Sequence, residues 1–335
     1  MFTGKASGGN GPMGEVKEET PFKARGEVLA LLPDTSGNDI NGLGEAQKRH
    51  ASPIMWHDPG ILAHGDLQNW FFANGTAPGA NEHRASNQEF TAKPLPELAA
   101  IAADWEPEEA SAKVKEAALM RESDIVGIAR LNQDWVFEGY EAPYEWIVVL
   151  GVAMDWQCLK TAPSHKSQIE VQNQYGRGTR AAYKLAAWMR EQGWDAHPHG
   201  GPLAGPVLMI PAAIEAGLGE LGKHGSMINR RFGSSFRLAS VMTDMPLQAD
   251  GLDAFGADDF CANCKVCTNI CPVDAITSEK QTVRGDTKWY VDFDECILYF
   301  VENNGCGMCI GQCPWSRTGT APRLADKLAR RRARR

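Results

Sequence analysis

The stretch Cys261-Ala262-Asn263-Cys264-Lys265-Val266-Cys267-Thr268-Asn269-Ile270-Cys271-Pro272 sets four cysteines two, two and three residues apart and closes on a proline. Gaps this short let one tight loop reach three corners of an iron–sulfur cubane, while the cysteine before the proline extends to a neighbouring cluster. A second run follows, Cys306-Gly307-Met308-Cys309-Ile310-Gly311-Gln312-Cys313-Pro314, and Cys296, ten positions before Cys306, can complete it after a stretched first gap. By this crossed rule Cys261, Cys264, Cys267 and Cys313 hold one cluster, leaving Cys271, Cys296, Cys306 and Cys309 for the other. Zinc is the alternative, but zinc sites usually pair two Cys-x2-Cys units without the repeated Cys-Pro ending. Two [4Fe–4S] clusters are therefore expected, and two linked clusters conduct single electrons.

Eight of the nine cysteines lie between Cys261 and Cys313, a density that suits metal ligation in a reducing compartment better than disulfides. Cys158 stands apart and reads as a small buried hydrophobe, not a ligand. A chain of 335 residues is about two domains' worth. Its 43% hydrophobic and 23% charged residues exclude a wholly disordered, collagen-like or coiled-coil protein. The longest apolar run, Trp146 to Met154, has nine residues, where a spanning helix needs roughly 20. A formal charge of −8 argues against a general nucleic-acid binder. Only the end, Arg330-Arg331-Arg332-Ala333-Arg334-Arg335, is basic, and it reads as a solvated, fraying tail before it reads as a docking patch. Met1 to Glu19 contains neither an apolar h-region nor an Arg-Arg pair, so a cytoplasmic location is expected.

Composition divides the chain into four segments. Residues 1–100 are rich in turn-forming pieces such as Pro33-Asp34-Thr35-Ser36-Gly37 and Ala77-Pro78-Gly79-Ala80-Asn81, which predict long irregular stretches wrapping another unit. Residues 101–254 alternate helical and strand patterns. A helix is expected near Glu109 to Glu122, strands near Ile125 to Leu131, Trp146 to Ala153, Val207 to Ile210 and Phe236 to Thr243, and a helix from about Gly178 to a stop at Gly193. Residues 255–318 form the cysteine module and 319–335 the tail. The fold class is α/β, in its α+β form.

Just ahead of the last strand, Ala216-Gly217-Leu218-Gly219-Glu220-Leu221-Gly222-Lys223-His224-Gly225 places four glycines in nine residues. Such density lets backbone approach a large planar or anionic ligand. The spacing of Gly217, Gly219 and Gly222 also fits G-x-G-x-x-G, but that dinucleotide fingerprint must follow a strand, and Pro211 to Ala216 reads as helix. This segment, with Ile228-Asn229, Phe232-Gly233, Arg237-Leu238 and Val241-Met242-Thr243-Asp244-Met245-Pro246 and then the double Cys-Pro module, resembles the corrinoid-dependent reductive dehalogenases. It also resembles the related epoxyqueuosine reductases, which act on a tRNA base. The resemblance covers roughly residues 140 to 318. It implies a nitroreductase-like α/β domain holding cobalamin base-off, followed by a two-cluster ferredoxin-like domain, with Gly217, Gly219, Leu221, Gly222, Lys223, His224 and Gly225 at the corrinoid.

The same resemblance implies a Tyr that gives a proton to the carbon losing halide, and a nearby cation that stabilises the phenolate left behind. Tyr175 and Arg237 stand where those residues fall, the alternative for Tyr175 being an aromatic packed at a helix start. Asp195-Ala196-His197-Pro198-His199-Gly200 spells the D-x-H-x-x-G by which other corrinoid enzymes place His on cobalt, but its companion features are missing. His197 is therefore expected to be structural and cobalt to lack a protein ligand. His64, His83, His199 and His224 fall in loop-like surroundings and read as surface histidines. Some of the ten tryptophans could line an aromatic substrate cavity. The expected function is removal of halide from a small, aromatic organohalide, with electrons from a separate reductase, ferredoxin or flavodoxin. Reduction of epoxyqueuosine in tRNA is the alternative, and a corrinoid or electron-transfer protein without turnover is a third reading.

Overall fold

The computed structural model describes residues 21–334; the N-terminal segment behind the cytoplasmic expectation, and Arg335, lie outside the described residues. Strands follow one another as β1 (Ile125–Arg130), β2 (Trp146–Ala153), β3 (Ala196–Gly200), the two-residue β4 (Glu220–Leu221) and β5 (Met227–Ile228), and β6 (Phe236–Thr243). In the order β1-β2-β6-β3 they make a four-stranded sheet, antiparallel throughout, while β4 and β5 form a separate hairpin. The sheet is sandwiched. Ile147 to Leu150 and Val152 of β2 have no exposed surface because helices cover both faces, which is why this strand reads as a continuous apolar run. On one face Val114 and Ala118 of helix Pro107–Leu119, with Ala182 and Leu185 of helix His165–Glu191, pack on Ile128, Val148 and Val241. On the other, Ala212 and Ala213 of helix Met209–Glu215 meet Ile147, Val149 and Met242. Each buried Val, Leu, Ile or Met side chain here contributes about 1.5–3 kcal/mol, and each alanine methyl about 0.8 kcal/mol.

Several expectations are corrected. The long helix begins at His165, well before Gly178, with Ser164 and Ser167 forming a capping box. Its first half buries polar residues, with Gln168 donating to Gly75 O and accepting from Ala77 N, so no apolar period marks it. Between Val207 and Ile210 only Val207 pairs, with Val136, and helix takes over at Met209. β3 was hidden by Pro198, which an edge strand tolerates. Residues 21–100 are less irregular than their turn signals suggest, with helices Gly65–Asn74 and Pro78–Thr91.

The cysteine module runs from the short helices Ala257–Asn263 and Val266–Ile270 through the hairpin of β7 (Gln281–Val283) and β8 (Asp286–Lys288) to helix Phe293–Glu302. The N-terminal region lies across it. Val28, Leu67 and Phe71 pack on Ile297 and Val301, Arg25 holds the Glu302 carboxylate at 3.0 Å, and Ser36, Gly37 and Asn38 bond the carboxylates of Asp294 and Asp292. The tail does not fray as expected: Thr320–Arg332 is helical, Ala321 and Ala325 are buried beside Trp315, and Arg332 pairs with Asp259 at 3.0 Å. No helix among the described residues is long and apolar enough to cross a membrane.

Candidate functional site

The chain returns of the module gather eight thiols into two neighbouring groups. Cys261, Cys264, Cys267 and Cys313 lie close enough to act electrostatically on one another. Cys271, Cys296, Cys306 and Cys309 do the same, and Cys309 also feels Cys267 of the first group. Burial, reinforced by the other thiols, pushes Cys261, Cys296 and Cys313 up to about 12 and Cys309 well above its ordinary value. Thiols so placed become thiolates only when a cationic centre compensates the charge, which is what iron ligation supplies. All nine cysteines are free of disulfides. Cys158 is half-buried, not buried as expected, with its sulfur 3.6 Å from Asp155.

The second thiol group forms part of the wall of a cavity of about 570 Å³ that also contains Tyr175 and Arg237. Arg237 projects from β6, opposite Val152 of β2. Its guanidinium carbon lies 5.1 Å from the centre of the Tyr175 ring, and its Nε is buried without a partner. Tyr175 sits in the middle of helix His165–Glu191, not at a helix start. The ring lies flush against Gly201, where an added Cβ would come within 2.0 Å of Tyr175 Cδ1. Trp56, Phe72 and Phe300 extend the aromatic lining, and Trp56 and Phe300 are 5.8 Å apart.

Of the glycine-rich segment, His224 and Gly225 reach this cavity. The others turn elsewhere. Gly219 adopts φ +142°, and an added Cβ would lie 2.1 Å from Ile228 O, so this glycine permits the close hairpin of β4 and β5. A Cβ on Gly217 would come within 2.5 Å of Gly251 O, Gly222 lies against the His224 ring, and Leu221 joins the apolar cluster around Trp289 and Trp315. Lys223 is 1% exposed and donates from Nζ to Cys264 O at 2.9 Å, which directs it to the first thiol group. Glu220, not singled out in the sequence, accepts the backbone N–H groups of Phe255, Gly256 and Ala257 at 2.7–2.9 Å and so caps the helix carrying Cys261. A carboxylate two residues after a glycine turn carried no signal, because its partners lie more than thirty positions away.

Two histidines expected at the surface are buried. His64 is 1% exposed and His224 5%. His224 Nε2 lies 2.9 Å from Ser234 Oγ, and burial holds its imidazole down at about 4. His83 is half-buried. His197 is exposed on edge strand β3, stacked on Tyr144, and His199 faces a second cavity.

Cysteine groups beside a helix-borne Tyr and a sheet-borne Arg define an iron–sulfur redox protein, and residues 260–316 match the family described as 4Fe-4S dicluster domain. The module therefore carries two [4Fe–4S] clusters. The relatives narrow the class to proteins akin to reductive dehalogenases. The tetrachloroethene reductive dehalogenase of Desulfitobacterium hafniense is 31% identical over 211 residues, covering 59% of this chain and 37% of that protein. Its counterpart from Sulfurospirillum multivorans is 30% identical over 259 residues, covering 63% and 51%. The chain thus spans about half, or less, of the length of these relatives. An epoxyqueuosine reductase from Leadbetterella byssophila is 36% identical over 128 residues, 33% of this chain and 38% of that one. A solved catabolic reductive dehalogenase shares the fold with a TM-score of 0.71 at 22% identity, covering 89% of this chain and 46% of its own; that structure holds 3-bromo-4-hydroxybenzoic acid.

Proposed function

We propose that this chain is a cytoplasmic, corrinoid-dependent reductive dehalogenase that removes halide from a small aromatic organohalide. One observation carries the reading: the Tyr175–Arg237 pair and the thiols Cys271, Cys296, Cys306 and Cys309 share the wall of one cavity. The fit of a corrinoid rests on that cavity, whose aromatic walls suit a broad, flat, largely apolar ligand. Base-off binding agrees with the position of His197, exposed on an edge strand. Gly225 and His224 would flank the group, which when bound supplies an electron-rich metal able to break a carbon–halogen bond.

The chain's own residues do the rest. The reaction consumes two electrons and one proton, replacing carbon–halogen by carbon–hydrogen and releasing halide. Cys261, Cys264, Cys267 and Cys313 hold the cluster farther from the cavity, and the other four cysteines hold the cluster beside it, so electrons pass one at a time toward the cavity from a separate reductase, ferredoxin or flavodoxin. Tyr175 gives its phenolic proton to the carbon that loses halide. Arg237, over the ring, balances the phenolate until a proton returns. Trp56, Phe72 and Phe300 keep water from competing for that proton.

Anaerobic reconstitution with cobalamin, iron and sulfide, followed by halide release from a panel of halophenols, tests the proposal. Halide should appear in step with reductant consumed, two electrons per ion. Fully loaded protein that releases none, yet reduces epoxyqueuosine in a tRNA stem loop, would overturn it.

A further inference from the structure

A second cavity, of about 690 Å³, adjoins the first and shares Phe72 and Pro202 with it. Four of the side chains that line it each leave a buried polar atom without a hydrogen-bond partner: His57 Nε2, Arg84 Nη1, Asn87 Oδ1 and His199 Nε2. A buried polar atom left unmade costs about 1–3 kcal/mol, so four around one cavity mark a place where a ligand completes the bonding. Their other atoms fix what each can offer. Asn87 spends its amide on Gly201 O at 3.0 Å and Thr179 Oγ1 at 3.3 Å, which leaves Oδ1 as an acceptor. His57, 3% exposed, is held through Nδ1 by Tyr140 Oη at 2.9 Å; with that phenol donating, Nε2 carries the proton. Burial lowers the pKa of His57 and holds His199 at about 3, so both are neutral.

Arg84 decides the chemistry. Its guanidinium lies 4.3 Å from the centre of the Phe72 ring and forms no ion pair with any described carboxylate. The carboxylate in the cavity wall, Asp58, is exposed and turned to Gly60 N–H. An arginine set partly below the surface without a counter-ion is completed by an anion from outside. The site is also coupled to the proton donor, because Asn87 holds the carbonyl of Gly201, the residue on which the Tyr175 ring rests.

We propose that this cavity binds a carboxylate borne by the organohalide, with Arg84 as its counter-ion and Asn87 Oδ1 accepting from a hydroxyl or amine on the same molecule. The assignment rests on the dehalogenase reading for the identity of the ligand, and makes halogenated aromatic acids the substrate class.

Calorimetric titration of the holoprotein with benzoate and with benzamide, its uncharged isostere, tests this. Benzoate should bind about 10-fold tighter or better. Arg84→Gln should abolish the preference without lowering the melting midpoint, and Arg84→Lys should restore part of it. Equal affinities, or a preference that survives Arg84→Gln, would overturn the assignment. Halide release from chlorobenzoates and neutral chlorobenzenes on the same samples separates the two readings. Release without acid preference sinks the cavity assignment alone. A benzoate preference lost in Arg84→Gln, with no halide from any compound, sinks the dehalogenase reading and leaves the anion site standing.

Discussion

Tyr175→Phe retains the ring that rests on Gly201 and lies under the Arg237 guanidinium, and deletes only the proton, so it isolates the chemical step. A positioned acid is worth roughly 10²–10⁴ in rate, and turnover should fall by at least the lower figure with both cofactors still bound. The share owed to Arg237 can be worked from its position. With 5.1 Å between the guanidinium carbon and the ring centre, and an effective dielectric of about 20, the attraction for a phenolate is about 3 kcal/mol. That is roughly 10² in rate. Arg237→Ala should therefore slow turnover by up to about 10², and Arg237→Lys by less, since a cation alone meets the need. The two effects should not multiply. Once the phenol is gone Arg237 has no developing charge to balance, so the double variant should be little worse than Tyr175→Phe. The assay is anaerobic halide release under saturating reductant, on samples matched for iron and cobalt. Near-normal turnover by Tyr175→Phe, or a double variant about 10² slower than Tyr175→Phe alone, would refute the pairing.

Cys271→Ser should reduce iron from about eight to about four per chain and remove the signal of the cluster beside the cavity, sparing the cluster that the rest of its own run holds; electron paramagnetic resonance with iron analysis reads both. Lys223→Met deletes a buried ammonium bonded to Cys264 O, which should destabilise the more negative reduced state and lower the potential of the first cluster alone, as a redox titration would show. Gly233 has φ +59° and a Cβ there would lie 2.0 Å from Trp315 O, so Gly233→Ala should cost at least about 2 kcal/mol in urea unfolding followed by tryptophan fluorescence. His224 sits at about 4 when folded against 6.5 ordinarily, so the unfolded chain takes up the proton first as pH falls. The stability of the neutral form is complete above pH 6.5 and declines down to about pH 4, by up to about 3 kcal/mol; His224→Gln should flatten that slope in pH-dependent melting.

Where packing is periodic and local, the sequence was readable. β2 and β6 have the expected bounds, β2 because it is an apolar run buried on two faces and β6 because Ala239 to Thr243 are buried. The grouping of Cys261, Cys264 and Cys267 follows from a tight loop with two-residue gaps, and the fourth member of the group, Cys313, follows from the crossed rule. What stayed hidden depends on partners far along the chain. The polar first half of helix His165–Glu191 is explained only by Gly75 and Ala77, and helix Pro78–Thr91 begins with Pro78-Gly79, which looks like a turn until the proline is seen at the first helical position. Lys223 gives no hint in one dimension that its ammonium reaches Cys264, 41 positions on. The histidines were misplaced for the same reason, since a glycine-rich neighbourhood resembles a surface loop until Ser234 and the module close over His224.

The clasp between the N-terminal region and helix Phe293–Glu302 has a bearing on biogenesis. Ser36 meets Asp294 across 258 positions and Arg25 meets Glu302 across 277. The first of these residues to leave the ribosome must wait for nearly the last, and loops of that length close late. Cys296 lies in that helix, so the N-terminal region has nothing to dock on until most of the module's cysteines are in the chain. Docking of the clasp is therefore a late step that ties the two ends of the described chain together at the cysteine module.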